Sequence, residues 1–94
     1  MNLTKKQVLA VQKVGLAVLE AIQAAGELGA PSGALYAALQ HQGCTLTQYQ
    51  SLTGSMERRG FVIQESDCFT ITTTGEHFIS QLRRTVAMED PVEA

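Results

Sequence analysis

The spacing of apolar side chains predicts a long helix at the start of the chain. Between residues 5 and 25, valine, leucine, isoleucine and alanine recur at helical intervals and cover more than one stripe. Thr4 with Gln7 is a capping-box pattern, and Gly26 is expected to end the helix. A helix with two apolar sides needs two surfaces to cover it. The second surface is either the last helix of the same chain or another copy of the chain.

A second helix and a third follow at close spacing. Either Pro31 as the first helical residue or Ser32 as the N-cap would begin the second helix, and Gly43 would end it. Only Cys44 separates that glycine from the cap of the next helix. So short a connection makes helices two and three neighbours that cross steeply, which is the helix-turn-helix arrangement.

The third predicted helix, residues 45–59, has two contrasting sides. Thr45 with Gln48 is a second capping box, and Gly60 is expected to end the helix in a left-handed conformation. At about 100° per residue, the apolar side carries Leu46, Tyr49, Leu52, Thr53 and Met56. The other side is small and polar, with a cation at its end: Thr47, Ser51, Gly54, Ser55 and Arg58.

After this helix the apolar period changes from helical to alternating. In residues 61–65 and 68–72, successive side chains would point to opposite faces, as in two strands. Ser66 and Asp67 would form the turn between them. A hairpin of this size is not stable alone, so it is expected to pack on the helices. The expected sheet is therefore two-stranded.

A last helix is expected to follow the hairpin. Either Thr73, which forms a capping box with Glu76, or Thr72 would begin it. The final residues, 89–94, are predicted to be an acidic, disordered tail. Length and pattern thus predict one α+β, mostly helical domain over residues 1–88.

The net charge of −2 argues mildly against a nucleic-acid partner. Of the nine acidic residues, however, Glu89, Asp90 and Glu93 lie in the predicted tail, which leaves six against seven Lys and Arg. The domain itself is then about neutral. Such a balance permits specific DNA binding without indicating it.

No other chemistry is indicated by the sequence. The N-terminus lacks the layout of a secretory signal, and no apolar run is expected to span a bilayer. Cys44 and Cys68 lack metal-binding spacing and are expected to be reduced and mostly buried. No catalytic motif or phosphate-binding loop is present. We therefore expect a cytoplasmic protein that is not an enzyme, has no cofactor or metal and does not contact a membrane.

Residues 57–79 resemble the wing region of bacterial winged helix-turn-helix regulators. The shared features are a glycine after the third helix, an apolar pair, an Ile-Thr step and a second glycine, here Gly60, Phe61, Val62, Ile71, Thr72 and Gly75. Residues 33–39, GALYAAL, also resemble the recognition helix of PadR-type regulators. In that family the wing follows almost at once, whereas here another helix intervenes. Residues 45–59 therefore remain the recognition candidate, and neither the PadR nor the MarR family is assigned.

The resemblance implies a fold of three helices, a two-stranded wing and a C-terminal helix, with the third helix in the major groove of double-stranded DNA. The implied contact residues are Thr47, Gln48, Ser51, Ser55, Arg58 and Arg59. Glutamine would read adenine and arginine guanine, and Gly54 would allow close approach of the backbone. Arg59 has an alternative role in pairing with the helix dipole. A transcriptional regulator of this kind would be a homodimer, built from the first and last helices.

The hairpin tip departs from the family pattern. Glu65 and Asp67 place two carboxylates where winged-helix DNA binders commonly carry Arg or Lys, and phosphates would repel them. Either the hairpin stands away from DNA, or the domain is a winged-helix interaction module that binds a protein partner and no DNA.

Overall fold

The computed structural model describes residues 4–89. Within this range the chain is α+β and mostly helical, as predicted. The elements in chain order are α1 (Lys5–Ala25), a 3-10 turn (Gly26–Leu28), β1 (Ala30–Pro31), α2 (Ser32–Gln40), α3 (Leu46–Arg58), β2 (Val62–Glu65), β3 (Cys68–Ile71) and α4 (Thr73–Glu89). Of the tail predicted at residues 89–94, Glu89 is the last residue of α4, and residues 90–94 lie outside the described residues.

Both predicted capping boxes are present. The backbone N–H of Gln7 donates to the Thr4 hydroxyl at 3.1 Å, and the side-chain oxygen of Gln7 accepts from the Thr4 N–H at 2.9 Å. Thr45 and Gln48 repeat these two bonds at the start of α3. Gly60 has φ +77°, and the next N–H donates to the carbonyl of Met56, which closes the end of α3. The predicted limits of α1 and α3 are confirmed to within one residue.

The start of α2 differs from both predicted alternatives. Pro31 has φ −61° and ψ 132°, so it is extended and precedes the helix, while Ser32 is already helical. The cause is a strand that the sequence pattern did not indicate. Ala30 pairs with Phe69 and Pro31 with Cys68, which holds Pro31 in an extended conformation at the edge of the sheet.

The sheet is therefore three-stranded and antiparallel, with strand order β1-β3-β2. The expectation of a two-stranded sheet was wrong, because β1 adds a third strand. The predicted hairpin itself is present: β2 and β3 pair from Val62↔Ile71 to Glu65↔Cys68, and the turn residues Ser66 and Asp67 have positive φ.

The cap of α4 is Thr72, the second of the two candidates. Its hydroxyl oxygen accepts from the N–H of Gly75 at 2.9 Å, while Thr73 is already helical. The same oxygen lies 2.6 Å from the carbonyl oxygen of Gly60, to which it donates. Thr72 thus connects the start of α4 to the end of α3. Because Thr73 is already helical, it does not form the predicted capping box with Glu76.

One cluster of buried apolar side chains holds the elements together. It draws on all four helices and the sheet, and its most buried members are Val18, Leu19, Ile22, Phe69 and Ile79. The C-terminal half of α1 lies at its centre, since it supplies Val18, Leu19 and Ile22, and α1 contacts both α4 and β3. An ion pair between Arg83 and Glu20, at 2.7 Å, joins α4 to α1 on the surface.

By length and composition, the segment Lys5–Leu28 meets the requirements for crossing a membrane, which corrects the expectation that no run is long enough. In this fold Val18, Leu19 and Ile22 of that segment belong to the core. Withdrawing the helix into a bilayer would therefore remove the centre of the domain. Part of the apolar surface of α1 is nevertheless uncovered in a single copy, since Val8 and Val11 are 40% and 53% exposed.

Candidate functional site

The orientation of α3 is set by the side chains that it buries. Tyr49, Thr53 and Met56 face the core. The Tyr49 hydroxyl donates to the carbonyl oxygen of Ser32 at 3.1 Å, and it lies 2.9 Å from the Ser32 hydroxyl. The rings of Tyr49 and Tyr36 are also in contact, with 5.3 Å between their centroids. These contacts hold α3 against α2, so that the opposite side of α3 points away from the domain.

That outward side, which we call the outer strip of α3, consists of Thr47, Ser51, Gly54 and Arg58. Three of these residues are exposed and Gly54 is half-buried. A Cβ atom at Gly54 would lie 3.2 Å from a guanidinium nitrogen of Arg58, so the arginine side chain folds back along the helix over the glycine. The outer strip carries no carboxylate, and its single charge is positive.

The other three predicted contact residues do not lie on the outer strip. Gln48 faces α1 and lines a cavity with Val11, Val14 and Leu52. Its side-chain oxygen accepts from the Thr45 N–H at 2.9 Å in the capping box. Two-point bonding of Gln48 to adenine would require this oxygen to leave the cap.

Ser55 and Arg59 face the groove between α1, α3 and α4. The Arg59 guanidinium lies 5.3 Å from the ring centroid of Phe61 and 5.7 Å from that of Phe78. The two rings stack on each other at 4.2 Å with an interplanar angle of 12°. Arg59 therefore makes a cation–π contact on the flank of the helix, away from the outer strip.

A residue that sequence reasoning did not single out lies beside the outer strip. Gln50 is exposed on the flank that faces the sheet, and its side chain makes no hydrogen bond to another described residue. Leu46, on the same flank, is 50% exposed. The helical wheel contained this information, since residue 50 lies between residues 46 and 54 on the helix surface. The capping box predicted for Thr45 and Gln48 also indicated that Gln48 is occupied at the start of the helix.

The hairpin tip lies close to the start of α2. The carbonyl oxygen of Asp67 accepts from the N–H of Ser32 at 2.7 Å, which ties the turn to that helix. Glu65 and Asp67 are exposed at the tip, and Glu57 is exposed on the sheet-facing flank of α3. The sheet side of α3 is therefore acidic, whereas the outer strip is not.

The described residues contain no group of three or more His, Cys, Asp and Glu side chains placed to hold a metal ion.

No family model matches the chain, and neither the curated proteins nor the solved structures include a significant match to it. Function is therefore inferred from the geometry of this chain alone.

Proposed function

We propose that this protein is a small, non-enzymatic DNA-binding protein with a winged helix-turn-helix fold. It acts as a cytoplasmic, dimeric transcriptional regulator and reads the major groove with α3. The element order supports this reading: helix, strand, two helices in close succession, a hairpin and a last helix. The sheet order β1-β3-β2 supports it as well, because it places the hairpin beside the paired helices, as a wing requires.

The observation that carries the proposal is the outer strip of α3. It is exposed, small and uncharged up to Arg58, while Tyr49 and Met56 hold the opposite side of the helix in the core. A helix approaches base edges closely when its side chains are small, and a cation at its end meets the phosphates. Gly54 at the middle of the strip has no side chain of its own, so the backbone there comes close to DNA once the Arg58 side chain, which lies over it, extends toward a phosphate.

The uncovered apolar surface supports a dimer. Val8 and Val11 in the N-terminal half of α1 are 40% and 53% exposed, and Met88 near the end of α4 is 86% exposed. These residues lie outside the core, so a second copy can cover them without any change in the core. A two-fold dimer would bind two half-sites about one helical turn of DNA apart.

We expect Arg58→Ala to weaken DNA binding about tenfold or more, because Arg58 is the only cation on the outer strip. The measurement is a fluorescence titration against duplexes enriched from a random library by repeated rounds of binding. The matched control is Arg84→Ala, which removes an equally exposed arginine from α4. Loss of affinity that is equal in the two variants would contradict a reading role for α3.

We expect Gln50→Ala to change the base preference of the enriched sequences and Gln48→Ala to leave that preference in place. The Gln50 side chain is free beside the outer strip, whereas Gln48 serves the helix cap. Loss of a cap lowers the free energy of unfolding by about 0.5–2 kcal/mol and does not alter base contacts. Sequencing the pools selected by each variant tests this, and an altered preference with Gln48→Ala alone would reverse the assignment.

A protein-binding module is the second candidate, and the acidic residues near the hairpin favour it. Glu57, Glu65 and Asp67 are exposed on the sheet side of α3, where they would repel phosphates. The dependence of binding on salt concentration distinguishes the two functions. If each copy makes one or two phosphate contacts, DNA affinity of the dimer falls as the salt concentration rises. A plot of the logarithm of affinity against the logarithm of salt concentration would then have a slope of about −2 to −4. Absence of DNA binding at low salt would exclude the DNA-binding proposal and favour a protein partner.

A further inference from the structure

A groove with a volume of about 460 Å³ lies between α1, α3 and α4, on the side of α3 that faces away from the sheet. Its lining includes five apolar non-aromatic side chains, those of Val11, Leu19, Leu52, Met56 and Leu82. Gly15 of α1 also lines it; a Cβ atom there would lie 3.8 Å from the Met56 side chain. The volume falls in the range of about 300–1,000 Å³ that is typical of small-molecule sites.

The polar lining of the groove has one charge. Gln12, Ser55, Gln81 and Thr85 supply neutral amides and hydroxyls, and Arg59 is the only charged residue that residues 4–89 contribute to the lining. The Arg59 guanidinium is held by the stacked rings of Phe61 and Phe78, as described above. Among the described residues no carboxylate forms an ion pair with it. A partly aliphatic groove thus opens beside one positioned cation with which no described carboxylate forms an ion pair.

We propose that this groove binds a small aliphatic monocarboxylate, with the carboxylate on Arg59 and an unbranched chain along the walls formed by α1 and α4. One cation matches one negative charge, and the planar guanidinium presents two parallel N–H donors to a carboxylate. The aliphatic part of the lining, Val11 and Leu19 of α1 and Leu82 of α4, suits an alkyl chain. This inference does not depend on base recognition, since no residue of the outer strip takes part, although Val11 belongs both to the groove and to the surface proposed for the dimer.

Isothermal titration calorimetry with octanoate and with 1-octanol, both below their concentrations of self-association, tests the site. We expect octanoate to bind at one saturable site per chain and 1-octanol to bind about tenfold more weakly, because the alcohol lacks the charge-assisted hydrogen bonds. Arg59→Gln should weaken octanoate about tenfold and leave 1-octanol unchanged. Arg58→Gln is the matched control, because that side chain lies over Gly54 outside the groove, and it should leave both ligands unchanged.

A second variant tests the location without touching Arg59. Thr85 is exposed on the rim of the groove, so Thr85→Trp places a large ring in it without altering the core. We expect this variant to keep the far-UV circular dichroism of the parent and to lose binding of both ligands. The proposal is overturned if octanoate does not bind at millimolar concentration, if the acid and the alcohol bind equally, or if Thr85→Trp retains full affinity. It is also overturned if Arg58→Gln weakens octanoate as much as Arg59→Gln.

Discussion

Replacement of Gly75 by alanine is expected to lower the free energy of unfolding by about 3 kcal/mol, the upper end of the usual range for overpacking. A Cβ atom at this position would overlap the carbonyl oxygen of Phe61 and would lie 2.8 Å from the Ile71 side chain. The carbonyl is backbone, so it cannot move aside as the end of a flexible side chain would. Relief would require α4 to move away from the start of β2.

Such a movement would break the hydrogen bonds that join these segments. The N–H of Gly75 donates to the Thr72 hydroxyl at 2.9 Å, and the N–H of Thr72 donates to the carbonyl of Phe61 at 3.0 Å. The Thr72 hydroxyl in turn bonds the carbonyl of Gly60 at the end of α3. The free energy of unfolding lost in Gly75→Ala therefore includes the loss of the contact between α4 and the beginning of the hairpin.

Urea unfolding followed by circular dichroism measures the effect. Gly33→Ala is the matched control, because a Cβ atom at Gly33 in α2 would meet nothing within 4 Å. Alanine is favoured over glycine in a helix by up to about 1 kcal/mol, so the control should be neutral or stabilising. Equal stability of the two variants would show that α4 does not approach Phe61 as closely as described.

Phe69→Ala is expected to be the most destabilising side-chain truncation in the sheet, at about 3–5 kcal/mol. Phe69 is 2% exposed and lies on the central strand β3, where it pairs with Ala30 of β1 and Gln64 of β2. Its ring is among the largest fully buried side chains. Since small domains are stable by about 5–15 kcal/mol, this loss removes a large share of the total.

Ile63→Ala is the control for Phe69→Ala, because Ile63 lies on the opposite face of the same hairpin and is 51% exposed. Truncation there should change the free energy of unfolding by about 0.5 kcal/mol. Thermal and urea unfolding of both variants test the assignment of the two faces. Similar losses in the two variants would mean that the second face is also covered, for example by another copy of the chain.

The helices were predictable because their signals are local. The capping boxes at Thr4 and Thr45 join residues three apart, and Gly60 ends α3 through bonds to its own last turn. Such contacts depend on the adjoining sequence and can be read from it. The outer strip of α3 was also predictable in part, since Thr47, Ser51 and Arg58 follow from helical periodicity.

The strand β1 and the choice of Thr72 as the cap of α4 were not predictable from local sequence. Ala30 and Pro31 form a strand of two residues, too short for a period to be visible, and it exists because β3 offers a free edge. Thr72 and Thr73 are equivalent as local capping candidates. The hydrogen bond from Thr72 to Gly60, twelve residues earlier, supports Thr72 as the cap, and this contact depends on how the hairpin packs.

By itself, the sequence of this protein determined the helices, the hairpin turn and the exposed polar side of α3, because each depends on interactions within a few residues. Tertiary structure decided which polar residues remain free for recognition. α1 and α4 pack beside the flank of α3 that carries Gln48 and Arg59, whereas Gln50 lies on the flank toward the sheet. This packing also joined side chains from three helices into the groove at Arg59. Residues distant in sequence meet there only after the core has formed, so no local pattern records their proximity.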